Sequence, residues 1–499
     1  MIETPTRNRV ILIAAFHLLI AATLAFVLNI WVDEASTLYT TEKGIWSAMS
    51  NALADEKQAP LYFWLLALWR ELGKSIFFAR LFSIMCSVVA IFVFARVARR
   101  LFSEGQTQFL TLLFALHPFL IWASVEIRVY SAVVMLSLIL LDRWHAYFFD
   151  SEPDRTSSAI RFLGLTVIAL YTNYYLGFVL AGLFAALMIT RRWRAAAAYL
   201  GVMLVAGLLF APLIFAVKAQ FAANTVAFQT DRSPIVGLQL MWNTFLTFLA
   251  PTEIFPLEEI SVMSLARVWA VRFGILIAIG LMIRKRRELL DDRILAYGAV
   301  TATITAFFLI AYFALGEVYV AIRHAAILFA PLLLLAAIVI VRIVPDRIWP
   351  AVLIVYLGLF SYSLYTLYPN AAKRGDWVRV GAFLEQNEEP GQPIIVFTTF
   401  DALALPYHYR GRNQIFPDER FFDFEIEAPT GTPEAWRKQT EFIISEIPRD
   451  ATEIWLLSNE KCDIKQSCEP LEKFVEANYT VVLERTFYLE KVRLLRKKQ

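Results

Sequence analysis

The chain has 499 residues, of which 58% are hydrophobic, 14% aromatic and only 18% charged, and its mean hydropathy is +0.56. A water-soluble domain cannot cover that much apolar surface, so the composition excludes an ordinary soluble enzyme and indicates a polytopic membrane protein. The formal net charge of +3 gives no reason to expect nucleic acid as a partner; the basic residues instead gather in a few short loops, the pattern that orients membrane helices.

In chain order, Arg7 and Arg9 precede an apolar stretch from Val10 to Trp31. It is longer than the apolar core of a signal peptide and has no small-residue cleavage site before Asp33 and Glu34, so it reads as a retained first helix. Windows long enough to span hydrocarbon fall near 10–31, 79–97, 107–125, 131–149, 159–174, 176–190, 195–217, 265–283, 294–315, 320–341 and 347–367, about eleven spans. The stretch "APLYFWLLALW" (59–69) is too short to cross and reads as an interfacial or partly re-entrant helix. With the N-terminus in the cytoplasm, the loops at Arg96/Arg99/Arg100, 143–161, Arg191/Arg192/Arg194, 284–287 and Arg342/Arg347 all fall inside, as the charge rule requires.

The same threading sends 32–78, 126–130, 218–264, 316–319 and everything after about 368 to the outer side. The expected organisation is therefore a transmembrane domain over 1–370, with outer loops 32–78, 126–130 and 218–264, followed by a soluble α/β domain over 371–499. In that tail charges become frequent and apolar runs shorten to strand length ("PIIVF", "EIWLLS", "YTVVLERTFYLEKVRLL"), interleaved with helix-like stretches such as "DWVRVGAFLEQ". Cys462 and Cys468 lack metal-site spacing, and an oxidising compartment would permit a disulfide between them, whereas Cys86 sits in an apolar run and stays a thiol.

Asp33, Glu34, Asp55, Glu56, Lys57, Glu126, Arg128, Glu317, Arg323 and His324 come from different hairpins, yet all lie where apolar segments meet the outer face. Charges at membrane depth are costly and face a cavity or each other, so a cluster of both signs points to a functional site. Two carboxylates with lysine and arginine suit group transfer from a phosphate-linked donor. A carboxylate takes the proton of an acceptor hydroxyl, and cations neutralise the departing phosphate. The sequence has no Walker loop, GxGxxG turn, HExxH helix or GxSxG elbow, which disfavours nucleotide hydrolysis and serine or zinc hydrolysis. His17 and His117, in or beside apolar runs, read as packing residues, and His408 in "PYHYRG" as a loop residue of the outer domain.

The ordered series "WVDEAST", "EKQAPLYFWLLALW", "FFARLFSIMCSVVAIFVFARVARRLF", "LHPFLIWASVEIRVYSAVVMLSLI", "YTNYYLGFVLAGL", "VAIRHAAILFAPLLLLAA" and "KRGDWVRVGAFLEQNEEPGQPIIVF" resembles bacterial glycosyltransferases of family 39. These group with protein O-mannosyltransferases and lipid A aminoarabinose transferases in the GT-C superfamily, and the resemblance runs from about 10 to 410. It implies a polytopic α-helical membrane protein of GT-C type with a C-terminal periplasmic α/β domain, in the bacterial inner membrane. It implies an inverting transferase that moves a sugar from a polyprenyl-phosphate carrier to a lipid, glycan or protein acceptor on the periplasmic side.

Position by position, the resemblance gives Asp33 and Glu34 as the catalytic acids, with Asp33 the base that activates the acceptor. Glu56, Lys57 and Tyr62 fall on a segment in which the family's acid can help to hold a metal and the lysine contacts the lipid phosphate. Gln58-Ala59 stands where the family has a proline. Glu126, Arg128 and Tyr130 match a second acidic and basic loop motif, and Arg323-His324 a late phosphate-binding pair. The resemblance fixes no cofactor, and a divalent metal on Glu56 and His324 stays open. Two other classes fit the same charges: a transporter or flippase for a lipid-linked saccharide, and a non-catalytic scaffold. The acids sit at helix ends on one side and not at the midplane of repeated halves, which disfavours transport.

Overall fold

A helix rises 1.5 Å per residue, so an apolar helix of about 20 residues crosses a hydrocarbon layer of about 30 Å. The computed structural model describes residues 4–150, 156–227, 233–251, 269, 273, 280, 291–316, 321–373, 375–397, 403–417, 433–459 and 468–499. Among them, seven helices are long and apolar enough to cross: Arg7–Val27, Ile76–Leu101, Tyr130–Phe149, Trp193–Gln220, Asp292–Leu315, Ala326–Ile343 and Trp349–Leu367. The expected span at 107–125 is broken into Glu104–Leu116 and Pro118–Ser124, bent by 54°. Pro118 supplies no N–H to the helix before it and drives His117 into extended backbone, at φ −60° and ψ 127°. Counting that pair makes eight. The expected spans at 159–174 and 176–190 form helices too short to meet the same criterion, Ser157–Thr172 and Leu176–Ile189. The window at 265–283 lies outside the described residues apart from three isolated positions.

The chain divides into two units, one comprising Met1–Phe26, Gly44–Phe221 and Thr230–Leu367, the other Val27–Lys43, Ala222–Gln229 and Tyr368–Gln499. In the first, α1 (Thr4–Val27) is followed by α3 (Ile45–Ala54), α4 (Leu61–Arg70), α5 (Ile76–Leu101), the broken pair α6 (Glu104–Leu116) and α7 (Pro118–Ser124), and α8 (Tyr130–Trp144). Then come α9 (Thr156–Thr172), α10 (Leu176–Ile189), α11 (Trp193–Ala227), α12 (Pro234–Leu249), α13 (Asp292–Leu315), α14 (Ala326–Ile343) and α15 (Trp349–Leu367). Helix α12 lies in the stretch expected as an outer loop. Short Ser-led starts hold two helices in register: Ser75 accepts the Phe78 N–H at the head of α5, and Ser103 with Gln106 forms a capping box at α6. The core between helices is aromatic: Phe114 stacks on Phe94 (4.2 Å) and Phe329 (5.5 Å), and Phe329 also meets Phe119 and Phe248. His17 and His117 are packing residues: the His17 ring nitrogens lie 2.7 Å from the Ala115 carbonyl and 2.9 Å from Ser87 Oγ, and His117 Nε2 lies 3.1 Å from the Phe248 carbonyl.

The second unit holds α2 (Val32–Thr40), α16 (Trp377–Asn387), α17 (Pro433–Glu446), α18 (Glu469–Asn478) and a five-stranded sheet. Its strands β1 (Ile394–Phe397), β2 (Ile415–Phe416), β3 (Glu453–Asn459), β4 (Tyr479–Phe487) and β5 (Glu490–Lys497) run in the order β2-β1-β3-β5-β4. The pairs β1/β2 and β1/β3 are parallel, and β3/β5 and β4/β5 antiparallel. The long apolar run at 479–495 is thus a hairpin that turns at Tyr488-Leu489, with Leu489 at φ 63°. Ile395, Phe397, Ile454, Leu456 and Leu495 from the sheet pack with Ile443, Leu471 and Val475 from the helices. Cys468 is disulfide-bonded and Cys86 is a free, buried thiol, while Cys462 lies outside the described residues.

Gly381, on α16, is needed for a close approach: a Cβ there would lie 2.5 Å from the His408 carbonyl oxygen. The obstacle is backbone and cannot rotate aside. Gly381→Ala should therefore displace the His408 segment and lower the melting temperature of the protein, by about 2–4 °C for each kcal/mol of strain in a unit of this size; differential scanning fluorimetry reads the shift, and an unchanged melting temperature would refute the contact.

Candidate active site

The site begins with the turn between α3 and α4. Asp55 and Glu56 both donate their N–H to the Asn51 carbonyl, and the Gln58 N–H reaches back to Ala52, a closing pattern whose penultimate residue must adopt left-handed backbone. Glycine ordinarily fills that place. Here it is Lys57, at φ 52°, at a cost of roughly 1–2 kcal/mol for a residue with a Cβ. Strained backbone of this kind clusters at functional sites.

Glu56 pairs with Arg128 at 2.7 Å, and the two side chains are only 4% and 10% exposed. Arg128 lies on the segment between α7 and α8, which is buried throughout, including Glu126. Ser83 on α5 donates to the Arg128 carbonyl (3.4 Å), Tyr62 on α4 lies beside Ser83 and edge-on to Phe82 (5.7 Å), and Tyr130 stacks on Trp122 (4.9 Å). The α3–α4 turn, α4, the α7–α8 segment and the start of α8 thus bring Glu56, Tyr62, Arg128 and Tyr130 together. Each carboxylate or guanidinium here is removed from bulk water, where an ionic contact is several times stronger than at an open surface.

Arg323 and His324 precede α14. The His324 ring stacks on Tyr175 (5.4 Å), which in turn stacks on Phe308 (5.6 Å). The turn that carries Tyr175 is closed by Asn173, whose Oδ1 accepts the Tyr175 N–H at 3.0 Å, so "YTNYY" places an aromatic face against the histidine.

Asp33 and Glu34 occupy the first turn of α2 in the second unit, where helix N–H groups favour negative charge. They differ sharply. Glu34 is fully buried and accepts from Lys373 Nζ at 2.9 Å; Asp33 is half-buried. Asn29 fixes the lysine from behind, accepting the Lys373 N–H (2.9 Å) and donating to the Lys373 and Gly375 carbonyls (both 3.0 Å). His408 Nε2 accepts the Ile30 N–H at 3.1 Å, so this histidine holds the segment that leads into α2 and is more than a loop residue. Gly375, at φ +108°, lets the chain pass where a Cβ would lie 2.7 Å from the Trp377 indole nitrogen.

The expected residues therefore fall into three groups: Glu56, Lys57, Tyr62, Glu126, Arg128 and Tyr130; Arg323 and His324; Asp33 and Glu34. Glu317 lies outside the described residues, and Asp55 caps the end of α3. The sequence assigned no site role to Ser83 and Tyr175, which support the groups of the first unit, or to Asn29, Lys373 and His408, which support the first turn of α2; Lys373, His408, Tyr175 and Ser83 are marked there only by membership of the stretches "KRGDWVRV", "PYHYRG", "YTNYY" and "FFARLFSIMCS", and Asn29 by none. Glu56 pairs with a guanidinium, and among the described residues no group of three or more His, Cys, Asp or Glu could hold a metal ion.

Beside the aromatic core of the first unit lies a cavity of about 710 Å³. Its walls, from α5, α6, α12, α14 and α15, are almost wholly apolar, and Phe109, Leu113, Phe245, Leu333, Ala336 and Tyr356 are among them.

The family described as Dolichyl-phosphate-mannose-protein mannosyltransferase matches residues 57–215. No curated protein matches the sequence. Among solved structures, ArnT from Cupriavidus metallidurans in the apo state aligns with a TM-score of 0.54 and 14% identity, over 98% of each chain. The same protein bound to undecaprenyl phosphate gives 0.51 and 14%, over 97% of each chain. An oligosaccharyltransferase from Archaeoglobus fulgidus aligns with a TM-score of 0.46 and 13% identity, over 90% of this chain and 68% of that one. The fold is that of ArnT, and the GT-C resemblance is borne out in fold and, over 57–215, in sequence.

Proposed function

From a multi-pass membrane chain with an ArnT-like GT-C fold, we propose an inverting glycosyltransferase that takes its sugar from a polyprenyl-phosphate carrier. The observation that carries the reading is the buried Glu56–Arg128 pair beside a strained Lys57, next to helices that enclose an apolar cavity. A lipid phosphate needs cations at its head and an apolar berth for its tail, and the first unit offers both. The ArnT structure solved with undecaprenyl phosphate supports the choice of carrier.

In this mechanism the Asp33 carboxylate takes the proton of the acceptor hydroxyl as its oxygen attacks the anomeric carbon. The bond from that carbon to the phosphate oxygen breaks, and the polyprenyl phosphate leaves with the electron pair, so the anomeric configuration inverts. The leaving phosphate is already a weak base and needs no proton, only positive charge, which Lys57, Arg128 and Arg323 supply. Glu56 holds the Arg128 fork in one orientation, Tyr130 and His324 present hydrogen-bonding groups to sugar or phosphate, and Glu34, bound to Lys373, steadies the first turn of α2. We place the reaction on the periplasmic side of a bacterial inner membrane, where flipped lipid-linked sugars are at hand and nucleotide sugars are not, with the C-terminal domain on that side to receive the acceptor.

The cavity gives the first test. Ala336→Trp fills part of it and should raise KM for a polyprenyl-phosphate sugar by about tenfold, the equivalent of some 1.4 kcal/mol of lost tail contact, while kcat changes little. A KM that stays at the wild-type value would remove the cavity from donor binding.

A further inference from the structure

The end of α5 that follows Phe92 carries a second charged cluster, which the proposed reaction does not use. Asp142, near the end of α8, is fully buried, and three guanidiniums converge on it: Arg96, Arg100 (3.3 Å) and Arg143 (2.8 Å). Arg100 also reaches Asp150 at 3.3 Å. The arginines are 30–45% exposed although their carboxylate is not. Arg99 lies exposed one turn from Arg96 on the same helix face. Arg293 also acts on Asp150, so guanidiniums outnumber carboxylates and the cluster carries a net positive charge.

Along the same face of α5, Met85, Val89 and Phe92 are exposed, spaced four and three residues apart and in line with Arg96 and Arg99. On a membrane-spanning helix that face is an apolar track ending in an anion-binding head. We propose that it binds an anionic phospholipid, with the headgroup phosphate on Arg96 and Arg99 and an acyl chain along Met85, Val89 and Phe92. The bilayer is the medium of this helix, which selects a lipid over a soluble anion. An anionic headgroup matches that net positive charge. Asp142 then serves as the buried anchor that keeps the guanidiniums in place.

The test is native mass spectrometry of the purified full chain after delipidation and incubation with dioleoyl-phosphatidylglycerol or dioleoyl-phosphatidylcholine. Phosphatidylglycerol should be retained over phosphatidylcholine by about thirtyfold, two arginines each contributing roughly five- to sixfold at a membrane surface. Arg99→Gln, which leaves the Asp142 pairs intact, should remove about one such factor, and Arg96→Gln with Arg99→Gln should remove the preference, with excess inorganic phosphate having no effect. Equal retention of the two lipids, a preference unchanged in Arg99→Gln, or displacement by inorganic phosphate would each overturn the proposal. The single variant decides the matter if the double variant does not fold.

Discussion

Asp33→Asn should reduce sugar transfer by about 10²–10⁴-fold, the usual contribution of a positioned general base, while leaving donor binding intact. Asparagine matches aspartate in size and keeps an oxygen at the same place in the first turn of α2, but it cannot accept the hydroxyl proton. Because Asp33 is half-buried and the buried charge of that turn is Glu34, the melting temperature should not fall. Glu34→Gln should behave in the opposite way. It breaks the buried ion pair with the Lys373 ammonium, which costs about 3–5 kcal/mol, so the protein loses stability and transfer together. Activity assays run beside thermal melts separate the two roles, and an Asp33→Asn protein with wild-type transfer would remove the base.

Arg128→Met should be the most damaging single change in the first unit. The Glu56–Arg128 pair is almost wholly shielded, and removing one partner breaks a buried ion pair, at about 3–5 kcal/mol. Removing both charges, as Glu56→Gln with Arg128→Met, should restore most of the stability, because two neutral groups of similar volume do not carry that desolvation penalty. Transfer should stay lost in the double variant, since the cation that meets the phosphate is gone. Recovery of transfer together with stability would mean that the pair only supports the fold.

The membrane architecture was legible because apolar windows of membrane length are a bulk property that survives any packing detail. The break at His117-Pro118 was visible in the letters, yet the apolar run over 107–125 concealed it. The stretch 218–264 looked like a loop, but "PIVGLQLMWNTFL" forms α12, whose 16 residues are too few for a span window. The strand content of the tail was legible from its alternation, whereas its sheet order was not, since β1 pairs with β3 across more than fifty intervening residues.

For the site, residue type and rim position were enough to gather the candidates, but not to pair them. Nothing in the sequence links Glu34 to Lys373, 339 residues away, or Glu56 to Arg128, 72 residues away. Nor does it show that Lys57 takes left-handed backbone, because that conformation is imposed by the carbonyls of Asn51 and Ala52 and not by lysine's own preference. These long-range pairs distinguish the two acids of the "VDEAS" stretch, which look equivalent as letters: one is committed to an internal cation, the other is half-buried in the first turn of its helix.

The most direct measurement is transfer of radiolabelled sugar from a panel of polyprenyl-phosphate donors by the purified wild-type protein, with the anomeric configuration of the product read by NMR. The account predicts transfer from at least one donor, release of polyprenyl phosphate in equal amount, and inversion at the anomeric carbon. Retention of configuration would contradict direct displacement, and intact donor recovered across a panel that covers the common hexoses and pentoses would contradict the transferase itself.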